Sequence, residues 1–188
     1  VILGIETLSR YSDEIRAVAV NTGCANAATG EQGLQNARAT AKAIGHKIGV
    51  DEHQVLVMST GVIGTQLPMD KIHNGIELAH KTLGNDWETT AKAIMTTDTV
   101  HKIASVTVDT DKGSYTITGI AKGAGMIAPN MATMLSVIVT DAKLVAGQAQ
   151  TALKEANEAT FNCITVDGDM STNDTVLMLA NGMSGVVI

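Results

Sequence analysis

Short runs rich in Val, Ile, Leu and Thr alternate along this chain with stretches whose apolar residues recur every three or four positions. That interleaving restricts the chain to mixed α/β architectures. Ile15 to Asn21 reads as a buried strand, followed by a Gly-, Asn- and Thr-rich loop from Thr22 to Gly30. Leu34, Ala37, Ala41, Ile44 and Ile48 then share one face of an amphipathic helix, and Gly45 and Gly49 mark its far end. Gln54 to Met58 reads as a second strand and Ser59 to Gly64 as the turn after it. Pro68 suits the first turn of a helix whose inner face is Ile72, Ile76, Ala79 and Leu83, with Gly84 as its stop. Asp86 reads as the N-cap of a third helix reaching Met95. His101 to Ala121 predicts a β-hairpin around Thr110-Asp111-Lys112-Gly113. A strand over Thr133 to Thr140 follows, then a helix from Leu144 to Asn162 with Ala149, Leu153, Ala156 and Ala159 on one side. The polar loop Asp167 to Asp174 leads into a last apolar run. The order lacks strict β–α–β regularity, so a layered α/β or α+β sandwich is expected.

Composition narrows the classes of partner. With 45% hydrophobic and 17% charged residues the chain has the balance of a folded globular protein rather than a disordered one. Aromatics make up only 2%, so aliphatic residues and Met must fill the core. The net charge of -6 and the absence of a basic cluster argue against nucleic acid as a partner. No apolar run is long enough to cross a bilayer, and no membrane partner is expected. Val1 to Arg10 lacks the basic start and apolar core of a signal peptide. Cys24 and Cys163 match no zinc spacing, so two buried thiols in a reducing cytosol are expected. Both ends are apolar, as expected of a segment cut from a longer protein.

Several catalytic signatures are missing. There is no G-x-S-x-G elbow, no Walker A loop and no H-E-x-x-H. Lys122-Gly123-Ala124-Gly125 does not complete a dinucleotide fingerprint. Counted from Asp167 as a calcium loop, positions 6 and 12 hold Thr172 and Met178 where Gly and Glu are required. The five histidines form no ligand pattern, and no metal site is expected.

The segment Lys122 to Leu135 (KGAGMIAPNMATML) is unusual: a Gly-rich stretch and a proline lead into a strand that opens on a hydroxyl residue, Thr133. It reads as a loop entering a strand, or as a self-cleavage site at which the Thr133 hydroxyl attacks the carbonyl before it. Cleavage between Ala132 and Thr133 frees an α-amine with an ordinary pKa of about 7.7–8.0. Such an amine is partly neutral near pH 7 and accepts the proton of its own hydroxyl.

This segment resembles the processing site of the glutamate N-acetyltransferase family, also called ornithine acetyltransferase or the bifunctional ArgJ family. Val20 to Gly33 (VNTGCANAATGEQG), Val57 to Asp70 (VMSTGVIGTQLPMD), Ile94 to Thr99 (IMTTDT) and Asp167 to Gly182 (DGDMSTNDTVLMLANG) resemble further blocks of that family in the expected order. The resemblance implies an αββα-type layered sandwich of the self-processing, DmpA-like architecture. It implies a partial ArgJ-like domain over 1–188, with 1–132 in the α chain, 133–188 opening the β chain, and α2β2 assembly. The activity it implies is acetyl transfer from N-acetylornithine to glutamate through an ester on Thr133, without a resident cofactor. Many members also take acetyl-CoA as donor. By the same resemblance Thr60 and Gly61 stabilise the oxyanion, and Thr96 and Lys122 join Thr133 in binding substrate. Two alternatives remain open: a self-processing aminopeptidase using the same threonine, and an inactive truncated member that acts as a binding domain.

Overall fold

The computed structural model describes residues 1–126, 134–145 and 147–188. The chain divides into two compact units, Val1–Asp86 and Trp87–Ile188.

The first unit is built on two parallel strands, β1 (Ala17–Cys24) and β2 (Val55–Val62), joined through a long helix, α2 (Gly30–Ile48). Helices α1 (Ile2–Tyr11) and α3 (Met69–Lys81) both pack against α2. Its core is Ala25, Ala41, Val55, Leu56, Met58 and Leu67. The expected far end of α2 is present: Gly49 adopts φ 75° and its N–H donates to the Gly45 carbonyl. The buried stripe of α2 differs from the expected one. Of the five aliphatic positions only Ala41 is buried, while Gly33, Asn36, Thr40 and Gly45 are buried beside it. Small residues let the helix lie close to its neighbours, and a Cβ on Gly45 would stand 2.6 Å from the Val50 carbonyl oxygen. On α3, Ile72 and Ile76 are half-buried but Ala79 is exposed, and Leu83, expected on the same face, lies exposed past the helix end, so the expected inner face is covered only at its start.

Both strands of this unit outrun the sequence expectation. Thr22, Gly23 and Cys24 continue β1, and Ser59 to Val62 continue β2, where a loop and a turn were expected. Gly and Asn weaken a strand taken alone. Here two such stretches pair with each other, Asn21 to Cys24 against Ser59 to Val62, and the ladder bonds offset the poor propensity. The segment Ile2–Tyr11, to which the sequence assigned no element, is helical.

The second unit contains a sheet ordered β3–β4–β5–β6 among the described residues. Strands β3 (Lys102–Thr110) and β4 (Gly113–Lys122) form the expected hairpin, with Thr110 opposite Gly113 and Asp111-Lys112 as its two-residue turn. Strand β5 (Leu135–Thr140) pairs antiparallel with β4, and β6 (Thr175–Ala180) pairs parallel with β5. Helix α4 (Trp87–Ala93) packs against β3 and β4, and α5 (Gln148–Ala159) against β6. α5 starts later than expected, behind Gly147 in a left-handed conformation, and none of its residues is fully buried.

Side chains alternate across a sheet, so residues two apart share a face. Ile120 lies opposite Val137, which lies opposite Leu177, and all three are buried. Two residues along, the next row on this apolar face is Lys122, Leu135 and Thr175. Leu135 retains 2% exposure. Leu135→Ala is expected to destabilise the fold by about 2–5 kcal/mol, through lost transfer energy plus the cavity left behind, read as a lower urea midpoint with an unchanged m-value.

Candidate functional site

The row that ends the apolar face brings together the candidate chemistry of the second unit. Lys122 closes β4, Leu135 opens β5 and Thr175 opens β6. Lys122 is on the same face as Ile120, and only 2% of it is exposed. Burial pushes its ammonium below the ordinary lysine pKa; Asp98 opposes that shift, Lys102 adds to it and Asp174 opposes it. A cation kept in an apolar wall is costly unless anions face it, and here the opposing field comes from two carboxylates.

Asp98 is the first of them. It sits in the connection between α4 and β3, and its side chain is 0% exposed. One oxygen, Oδ1, accepts from the Gly123 N–H at 2.7 Å and from Lys102 Nζ at 2.5 Å. The other, Oδ2, accepts from the Thr96 N–H at 3.3 Å. Burial raises the Asp98 pKa, but the bonds from Lys102, Gly123 and Thr96 outweigh it, and the carboxyl lies below its ordinary value. Gly123 adopts φ 154°, a conformation open to glycine and rarely to other residues.

Asp174 is the second. It precedes β6 and accepts from the Met134 N–H at 2.8 Å. Burial raises its pKa; the Met134 N–H, the Ser171 hydroxyl and the Lys122 ammonium pull the other way without cancelling it. The same polar loop supplies Asp167, which accepts from the Met126 N–H at 2.6 Å. The loop rejected as a calcium site therefore holds backbone at Met126 and at Met134. Ala132 and Thr133 lie outside the described residues. Lys122 and Asp174 are both shifted toward their neutral forms and Asp98 toward its charged form. Such divergence within one cluster is common where chemistry is done.

Of the residues singled out in the sequence, Thr96 and Lys122 are thus brought together through Asp98, which holds the first by its own N–H and the second by the N–H of its neighbour. Thr60 and Gly61 belong to the first unit. They occupy consecutive positions on β2, opposite Thr22 and Gly23. Thr60 is buried and Gly61 exposed. Gly61 has φ 130°, and a Cβ there would stand 2.3 Å from the Gly23 carbonyl carbon. Only glycine satisfies both conditions. Asp98 and Lys102 escaped the sequence reading, and Asp167 and Asp174 were weighed only as calcium ligands. The available signal was a lone carboxylate in the hydroxyl-rich block Thr96 to Thr99, and the density of Asp in 167–174.

The ArgJ family model matches residues 1–186. This chain belongs to the ArgJ family. Two bacterial bifunctional ArgJ proteins of arginine biosynthesis are 51% identical to it. For that of Geobacter sulfurreducens the match covers 93% of this chain and 44% of the relative. For that of Thermotoga neapolitana it covers 98% and 47%. A mitochondrial ArgJ of Podospora anserina is also 51% identical, over 91% of this chain and 38% of its own length. The chain therefore spans about half the length, or less, of these curated relatives. Two solved ArgJ-family structures match at a TM-score of 0.61: the bifunctional ArgJ of Bacillus halodurans at 37% identity, over 70% of this chain and 69% of that one, and the Mycobacterium tuberculosis ornithine acetyltransferase complexed with ornithine at 33%, over 71% and 69%. The α/β class expected from the sequence is thus the family's own. No helix among the described residues is long and apolar enough to cross a membrane.

Proposed function

We propose that the complete gene product transfers an acetyl group from N-acetyl-L-ornithine to L-glutamate, releasing ornithine and N-acetyl-L-glutamate, through an acetyl ester on Thr133. One observation supports this most: a buried ammonium, Lys122, stands opposite the start of the strand that follows Thr133 in sequence. A cation held at the end of an apolar sheet face suits the carboxylate of an amino-acid substrate. The ornithine-bound relative, and relatives named for arginine biosynthesis, point to the same substrates.

In this reading the bond between Ala132 and Thr133 is cut by the chain itself, and the bonds from Asp167 to Met126 and from Asp174 to Met134 brace the backbone before and after that bond. The freed α-amine takes the Thr133 hydroxyl proton as the oxygen attacks the acetyl carbonyl. Thr60 and Gly61 stabilise the oxyanion. Collapse expels the ornithine amine, which receives that proton, and leaves the acetyl ester. The glutamate amine then attacks the ester and restores the hydroxyl. Thr96 and Lys122 hold the substrate. No resident cofactor takes part; offering labelled acetyl-CoA in place of N-acetylornithine decides whether it is a second acetyl donor. The α and β chains assemble as α2β2. The thiols are not both buried as expected, Cys24 being half-buried and Cys163 exposed, but both are free, which suits a reducing compartment, and we place the enzyme in the cytoplasm.

Acetyl-labelled N-acetylornithine tests the reading. After brief incubation and an acid quench, label is expected on the peptide that begins at Thr133, and added glutamate should discharge it as N-acetylglutamate. Label on any other residue would rule out the carrier. Peptide hydrolysis without acetyl exchange would favour an aminopeptidase.

A further inference from the structure

The most enclosed carboxylate of the site has no part in the acetyl-transfer chemistry itself. Asp98 has a side chain with 0% exposure, yet three donors converge on it from three places in the chain. The Thr96 N–H reaches it at 3.3 Å from two residues back, Lys102 Nζ at 2.5 Å from the start of β3, and the Gly123 N–H at 2.7 Å from beyond the end of β4. Lys102 is half-exposed and also reaches the Val100 carbonyl at 3.4 Å, so it answers the charge from the solvent side. The two backbone donors belong to the substrate-holding block at Thr96 and to the residue joined to Lys122. Fixing the Gly123 N–H fixes the peptide plane shared with Lys122, and therefore where the lysine stem leaves the backbone. A neutral residue would have served the apolar packing here at lower cost, because an enclosed carboxylate is tolerated only with its hydrogen bonds complete.

We propose that Asp98 is a positioning residue for the amino-acid substrate, locking the backbone of Thr96 and the Lys122–Gly123 corner into one frame so that both substrate-holding side chains keep a fixed separation. The proposal rests on the acetyl-transfer reading and extends it to a residue that need not touch the substrate. Acyl chemistry takes place elsewhere, so loss of the frame should be felt in binding before it is felt in turnover.

Asp98→Asn keeps the shape and one acceptor oxygen but loses the charge, and hydrogen bonds to charged groups are the stronger ones. In the complete gene product it should leave cleavage and kcat within about threefold and raise KM for N-acetylornithine and glutamate by about 10–100-fold. Asp98→Glu keeps the charge against Lys102 but displaces both backbone donors by a methylene, so KM should rise there too, with kcat again held. Lys92→Gln, which breaks an exposed ion pair with Glu88 outside this cluster, is the control and should shift KM by less than about threefold. A lowered melting temperature with unchanged KM in Asp98→Asn would reduce the residue to a structural role and overturn the proposal. Should Asp98→Asn fail to fold, Asp98→Glu decides alone: a wild-type KM overturns the frame and a raised one supports it. A wild-type enzyme that exchanges no acetyl would instead overturn the underlying reading, and this inference with it.

Discussion

Thr133→Ala in the complete gene product is expected to remain one uncut chain by intact mass and to lose acetyl exchange by at least about 10⁴-fold. The two losses have one origin. In the proposed mechanism the hydroxyl that attacks the preceding carbonyl is the same oxygen that carries the acetyl group. Alanine deletes it, so no free α-amine appears and no ester forms. Thr133→Ser separates the steps: it keeps the oxygen and should still cut, more slowly, and still exchange acetyl. Activity in the cut enzyme should also fall with pH below the ordinary range of an α-amine, about 7.7–8.0, because the protonated amine no longer accepts the hydroxyl proton. An uncut Thr133→Ala protein with wild-type exchange would remove the threonine from the mechanism.

Gly61→Ala is expected to have the next largest effect, acting on stability and rate together. Its φ of 130° is one that alanine rarely adopts, and its new Cβ would lie 2.3 Å from the carbonyl carbon, 2.6 Å from the oxygen and 2.7 Å from the Cα of Gly23. All three are backbone atoms of the paired strand, so no side chain can rotate out of the way. Backbone held in such a region costs about 1–3 kcal/mol before the clash is counted. The far end of the β1–β2 pairing should therefore open, with amide exchange accelerated at Gly23 and Cys24. Under the proposed oxyanion role of Gly61, displacing this donor costs a further factor of about 10²–10³ in kcat. Gly23→Ala is the control. Its φ is 99°, but no atom lies within 4 Å of the added Cβ, so it meets the conformational cost alone. Equal damage in the two variants would show that the contact with Gly23 does not matter.

What could be read from the residues was local. The hairpin was legible because Thr110 to Gly113 carries its own turn chemistry between two β-branched runs. The end of α2 was legible because a left-handed position asks for a residue such as Gly49. The extension of β2 through Val62 was not legible, since Ser59, Thr60 and Gly61 form strand only because Asn21, Thr22 and Gly23 lie beside them. The helix over Ile2–Tyr11 was missed because its apolar start read as a cut end. Thr96 and Lys122 were picked out by resemblance. Their connection was hidden because it runs through Asp98 to Gly123, 25 residues later. The burial of Lys122 did leave a trace: it stands two places after Ile120 on a strand, so parity assigns it to the apolar face. Asp167 and Asp174 were visible as a cluster but were judged only against a metal pattern. Carboxylates that grip backbone N–H groups leave no comparable spacing rule.

The tight turn at Asp111-Lys112 acts as a ruler for a site at the opposite end of the hairpin. With Thr110 fixed against Gly113, each later residue of β4 faces inward or outward by odd and even count. One residue gained or lost in that exposed bend, with the bend otherwise redrawn to the same width, would hand the inward place to Ala121 or Gly123 and turn the ammonium outward. An alteration at the far end of the hairpin would thus remove the buried ammonium from the candidate site without touching one of its side chains.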